Sequence, residues 1–115
     1  MQIRFVYMTA SSADEARTIA QTLVRERLAA CVNILDGMQS VYWWQDNIES
    51  ATETVLIAKT SEPCIEPLIE RVKALHSYEC PCIIALPILE GNAAYLQWIT
   101  DSTTAPNSLV PDSAS

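Results

Sequence analysis

"SVYWWQDNIESATETVLIAKT", residues 40–60, decides the fold. "SVYWW" (40–44) and "ETVLIAKT" (53–60) are rich in aromatic and β-branched residues, as strands are. "QDN" (45–47) reads as the turn between them, because Asp and Asn tolerate the left-handed backbone that tight hairpins require. A hairpin in the middle of the chain makes its two strands antiparallel neighbours. The segments before and after it must then be placed around that pair.

Upstream, "AACVNIL" (29–35) opens the first arm of the hairpin, and Gly37 is expected to mark a bulge or bend within it. "IRFVYMT" (3–9) is apolar on both parities, the pattern of a strand covered on both faces. Between these two strands, Ser12 and Glu15 form a capping box, with Ser11 as a second option. Ala16, Ile19, Ala20, Leu23 and Val24 then recur at helical spacing, which predicts a helix over 13–27. Downstream, Ser61 and Pro63 signal another helix start. Ile65, Leu68, Ile69, Val72 and His76 share its apolar face, and Pro67 fits only near the first turn. "CIIALPIL" (82–89) is the last strand, interrupted by Pro87, and Asn92 caps a short final helix carrying Tyr95, Leu96, Trp98 and Ile99. "DSTTAPNSLVPDSAS" (101–115) has no period, so the expectation is one domain over 1–102 and a disordered tail over 103–115.

The order β-α-β-β-α-β plus a short helix is an α+β, ferredoxin-like arrangement, with two helices on one face of a four-stranded antiparallel sheet. Its other face should be polar. Instead the first, third and fourth strands are apolar on both parities, so a second copy of the chain is expected to cover it.

Composition narrows the function. A chain of 115 residues that is 50% hydrophobic is a single globular domain. A net charge of −7 repels phosphate backbones and anionic membranes, so neither nucleic acid nor membrane is an expected partner, while divalent cations are mildly concentrated. No apolar run approaches a membrane span, and "MQIRFVYMTA" carries Arg4 and stops short of a signal core. The expected location is cytoplasmic, with the four cysteines as thiols. Enzyme templates fail: with two glycines the chain has neither a P-loop nor GxGxxG, and no GxSxG frames a nucleophile. The expectation is a protein that is not an enzyme and requires no cofactor.

"ERLAACVNI" (26–34), "SVYWWQDNIE" (40–49), "ETVLIAKT" (53–60), "HSYECPCIIALPI" (76–88) and "GNAAYLQWI" (91–99) together resemble the CutA divalent-cation-tolerance family, in its order and spacing, over about residues 3–100. The resemblance implies a homotrimer, similar in fold to the PII signalling proteins, with an extended second hairpin reaching across a neighbour. It implies a link to metal tolerance and, for some members, copper binding. Asp46 stands where the family usually has Gly. The family's usual His-Pro-Tyr-Glu-x-Pro-Glu-Ile is here His76-Ser77-Tyr78-Glu79-Cys80-Pro81-Cys82-Ile83. Members credited with copper carry Cys late in the first strand and paired His before Pro-Tyr. Those positions are Met8, Leu75 and His76 here, which leaves His76 as the strong ligand and Met8 as a soft thioether.

The residues themselves offer two groups. His76, Cys80, Cys82 and Met8 form a candidate soft-metal set for copper or another divalent ion. Pro81 keeps Cys80 extended, and residues two apart on extended chain point the same way. The plainer reading makes His76 a helix-end residue, Cys82 a small hydrophobe beside Ile84, Leu86 and Ile88, and Cys80 a loop thiol. The second group is a cleft between subunits with Tyr42, Trp44, Glu49, Glu53, Lys59, Tyr95 and Trp98. Here Lys59 either pairs with Glu53 on the same strand face or binds an anionic ligand. The function expected is a cytoplasmic homotrimer linked to divalent metal tolerance and binding copper. The alternatives are a PII-like regulatory trimer taking a small anion in its clefts, and a structural trimer anchoring other proteins.

Overall fold

Ser12 ends one element and begins the next. Its hydroxyl accepts the Glu15 N–H at 3.1 Å, while the Glu15 carboxylate turns back to the N–H and hydroxyl of Ser11 at 2.8 and 2.9 Å. Both serines therefore serve the cap that separates β1 (Ile3–Ala10) from α1 (Ala13–Arg25). The helix stops short of residue 27 because Arg27 takes a left-handed φ of 65°. Leu28 N–H then reaches Leu23 O at 2.9 Å and Arg27 N–H reaches Val24 O at 3.1 Å, the paired bonds of a Schellman cap with Arg where Gly is usual.

The computed structural model describes residues 2–106. After α1 come β2 (Cys31–Trp44), β3 (Asn47–Ser61), a 3-10 turn (Glu62–Cys64), α2 (Ile65–Leu75), β4 (Ile83–Pro87) and α3 (Ala93–Ser102), the last capped by Asn92 as expected. Pro67 falls in the first turn of α2, where its missing N–H costs nothing. The sheet order is β2-β3-β1-β4, antiparallel throughout. This is the ferredoxin-like order anticipated from the sequence.

Further boundaries differ from the sequence reading, among them the start of β2 at Cys31 rather than residue 29. The last strand begins at Ile83 and ends at Pro87, so Cys82 precedes it rather than opening it. In the hairpin turn, Gln45 and Asp46 hold the left-handed φ values of 50° and 67°, while Asn47 already pairs with Trp44. Past α3, Thr103 and Thr104 are tied to the body through Ser61 Oγ at 2.8 Å and Arg27 O at 3.0 Å. Residues 107–115 of the expected tail lie outside the described residues.

One face of the sheet packs on α1 and α2. Val6, Met8, Leu56 and Ala58 meet Ala16, Ile19, Leu23, Leu68 and Val72 in a single buried cluster. The other face is covered at one end only, where Lys59 Nζ lies 5.7 Å from the Tyr95 ring centre and Ile99 is buried. Elsewhere Leu35, Ile84 and Leu86 remain 56%, 55% and 47% exposed, too much apolar surface for a finished monomer.

Two substitutions test the backbone reading with opposite signs. Gly37 sits at φ +79°, and a methyl group added there would meet nothing within 4 Å, so Gly37→Ala adds conformational strain and no clash. It should destabilise the protein by about 1 kcal/mol, whereas Arg27→Gly should stabilise it by roughly 0.5–1 kcal/mol. Urea melts of the two variants should shift in opposite directions.

Candidate functional site

The bulge at Gly37 builds the site. Leu35 pairs with Val55 and Met38 with Glu53, so Asp36 and Gly37 together oppose Thr54. Asp36 Oδ1 fixes the kink by accepting both the Gly37 N–H and the Thr54 hydroxyl at 2.8 Å. The extra residue reverses side-chain parity. Beyond it, Met38, Ser40, Tyr42 and Trp44 share the face of Tyr7 and Glu53. Together with the 78–82 segment they enclose an open cleft of about 710 Å³, which also receives Glu79, Cys80 and Cys82.

Glu53 is the cleft's fixed charge. Its Oε1 accepts the Ser40 hydroxyl at 2.6 Å and its Oε2 accepts the Tyr78 hydroxyl at 2.8 Å. Burial and then the Glu53 carboxylate push the Tyr78 phenol up to about 12. The same two causes, burial first, push the Cys82 thiol up. Cys80 is exposed, and all four cysteines are free thiols. Across the cleft the Tyr7 hydroxyl donates to Met38 Sδ at 3.3 Å.

His76 anchors the wall rather than facing the cleft. Its side chain is fully buried, with Nε2 at 2.7 Å from Thr9 O. Nδ1 accepts the Tyr78 N–H at 3.1 Å, which puts the ring proton on Nε2, donated to Thr9. Both ring nitrogens are thus engaged within the chain. Glu15 completes the anchor by accepting the Ser77 N–H at 2.7 Å. Burial alone would raise Glu15, but the Ser11 N–H, both serine hydroxyls and the Ser77 N–H outweigh it and bring the carboxyl down to about 2.

The structure therefore divides the first expected group. Cys80 and Cys82 line the cleft, His76 is spent on the backbone, and Met8 is 1% exposed in the helix-side core, one parity away. Among the described residues, no three His, Cys, Asp or Glu side chains converge to hold one ion.

The second group divides as well. Tyr42, Trp44 and Glu53 line the cleft, and Glu49 pairs with Tyr42 farther along the hairpin. Lys59, Tyr95 and Trp98 gather at the α3 end, with the two aromatic rings 5.4 Å apart. The expected Lys59–Glu53 pair does not form: Lys59 Nζ bonds Asn33 Oδ1 at 2.8 Å, on the neighbouring strand. Tyr7, Met38, Ser40 and Tyr78 escaped notice as site residues. The parity reversal at Gly37 could have indicated Met38 and Ser40, whereas Tyr7 and Tyr78 lie on other segments and carry no such signal.

Known proteins resemble this chain in sequence and in fold. The family described as CutA1 divalent ion tolerance protein matches residues 4–102. A divalent-cation tolerance protein CutA of Thermus thermophilus is 51% identical over 98 residues, 85% of this chain and 95% of its own. The solved structure of a divalent cation tolerance protein from Thermus thermophilus superposes with a TM-score of 0.87 at 49% identity, covering 89% of this chain and 99% of that one. The chloroplastic CutA 1 of Oryza sativa is 45% identical over 85% of this chain, which spans 55% of that longer relative. An Archaeoglobus fulgidus structure described as a periplasmic divalent cation tolerance protein aligns with a TM-score of 0.84 at 44% identity, covering 87% of this chain and 97% of that one.

The Glu15 anchor sets a pH dependence with a defined sign. Its folded value, about 2, lies below the ordinary 4.5. The stability it contributes is complete above pH 4.5 and is lost as pH falls towards 2. Glu15→Gln should cost roughly 1–3 kcal/mol at neutral pH. Denaturant melts of parent and variant should converge as the pH is lowered through that window; a gap independent of pH would assign Glu15 no electrostatic role.

Proposed function

The chain belongs to the CutA1 divalent ion tolerance family, and on that premise we propose that it works as a cytoplasmic, non-catalytic homotrimer that binds copper as Cu(I) through Cys80 and Cys82. The observation that carries the metal reading is the arrival of both thiols in one cleft beside the Glu53 carboxylate. Thiolates are the strongest soft ligands in the chain, and a carboxylate favours the approach of any cation. Trimer formation is supported by the uncovered apolar face and by Val41, Trp43 and Ile48, exposed along the hairpin. Four free thiols support a reducing compartment. On this reading, metal tolerance follows from sequestration of the ion at the two thiols. The anion-binding alternative draws less support, because Lys59 is engaged by Asn33 and Tyr95 and the cleft is lined by Glu53 and Glu79.

Cu(I) must displace the thiol protons, so affinity should fall with falling pH. Cys80→Ser with Cys82→Ser should remove most Cu(I) affinity in a competition titration, while Cys31→Ser leaves it unchanged. Light scattering on parent and double variant should return three times the 12.7 kDa chain mass. Unchanged Cu(I) affinity in the double variant would refute the thiol site, and a monomeric mass would refute the assembly.

A further inference from the structure

His76 is the chain's single histidine, and its ring is fully buried. The neutral ring is used at both nitrogens: Nε2–H donates to Thr9 O at 2.7 Å, and Nδ1 accepts the Tyr78 N–H at 3.1 Å. The second bond exists only while Nδ1 carries no proton. It fastens a stretch that belongs to no helix or strand, since α2 ends at Leu75 and β4 begins at Ile83.

One anion lies beside that nitrogen. Glu15 Oε2 is 4.0 Å from Nδ1, the only carboxylate within that distance of the ring among the described residues. Against the effect of burial, the Ser11 and Ser77 groups hold its carboxyl at about 2, so it is ionised throughout the range in which imidazoles titrate. The other groups around the ring are accounted for. Lys73, one turn back on α2, pairs with Glu70 at 3.6 Å, β1 offers the uncharged Thr9 O, and Glu53 on β3 meets the segment through the Tyr78 hydroxyl. The Tyr78 ring itself lies 4.7 Å from the imidazole between centres. All of these belong to one chain, and α1, which carries Glu15, packs on the sheet face opposite the uncovered one, so a second copy on that uncovered face leaves the Glu15–His76 pair in place.

We propose that His76 is a proton-operated fastening for the 77–82 segment: proton uptake at Nδ1 exchanges the Tyr78 N–H for the Glu15 carboxylate as the partner of that nitrogen and releases the segment from the body of the fold. A protonated Nδ1 is a donor, so it and the Tyr78 N–H would face each other as two donors 3.1 Å apart. The Tyr78 peptide must then turn away, while Nδ1–H finds Glu15 and Nε2–H keeps Thr9 O as a charge-assisted bond. The nearby anion is what permits the exchange, because an unpaired imidazolium in a buried site is costly. Ser77 N–H bonds the same Glu15 oxygen at 2.7 Å, so the new bond competes with the segment's second tie as well. The released segment carries Tyr78, one of the two hydroxyls on Glu53, together with Cys80 and Cys82. The exchange itself requires neither a metal nor the thiols.

NMR of the intact 15N-labelled protein, titrated from neutral pH to the onset of acid unfolding, reads both halves of the exchange. The His76 ring should start as the Nε2–H tautomer and take up its second proton while the protein is still folded. At the same midpoint the Tyr78 amide should lose about tenfold of its protection against hydrogen exchange. Glu15→Gln removes the anion at constant size and should move that shared midpoint to lower pH. His76→Gln has no titrating ring and should leave Tyr78 protection without pH dependence; should that variant not fold, the parent and Glu15→Gln still decide the matter. A ring that stays neutral until the protein unfolds, a Tyr78 amide that keeps its protection as the ring is charged, or an unaltered midpoint in Glu15→Gln would each overturn the proposal.

Discussion

The pairing of β1 with β3 is the constraint on which the rest depends. Eight residue pairs, from Ile3–Ser61 to Ala10–Thr54, join segments more than forty residues apart. Closing so long a loop has an entropic cost that local contacts must offset. The sequence supplies these on both sides: α1 is capped at each end, and β2 with β3 forms a hairpin that needs no distant partner. Once β1 and β3 are in register, β4 can only add at the outer edge of β1, and the two long helices meet over Val6, Met8, Leu56 and Ala58.

The same pairing delivers the chemistry. His76 caps α2 and reaches back to Thr9 O near the end of β1, so the α2–β4 connection is fastened to the central strand. Tyr78 leans on the His76 ring at 4.7 Å between centres, and its hydroxyl crosses to Glu53 on β3. Three elements thus converge on one carboxylate. The seven-residue run "HSYECPC" is foremost a fastening, with its two thiols carried into the cleft by that fastening.

Element order was legible in the sequence because its signals are local: Ser12 and Asn92 mark helix starts and Gly37 a bulge within β2, each by its own chemistry. The site was less legible because its contacts cross between strands. Lys59 and Glu53 share a face of β3, and along a single strand they read as a pair. The register brings Asn33 within reach of Lys59, and Ser40 within reach of Glu53. Met8 failed in the same way, since alternation on an apolar strand gives no hint of which parity faces the helices. Of the two readings of His76, helix end and metal ligand, the structure has the first, at the C-cap of α2, while its engagement by two backbone groups has no signature in sequence. Its backbone partners became visible only when the α2–β4 connection was seen to lie against β1.

Glu53 finally sets the terms for the two thiols of the cleft. It is held by the Ser40 and Tyr78 hydroxyls, so its charge stays where β3 places it. Burial first, and then that charge, push the Cys82 thiol up. A soft ion bound as a thiolate complex would have to displace that proton, and Cys80 is the exposed thiol of the two. Glu53 therefore favours the approach of a cation while it opposes the ionisation that a thiolate bond needs, and the proposed metal site rests on the first effect outweighing the second.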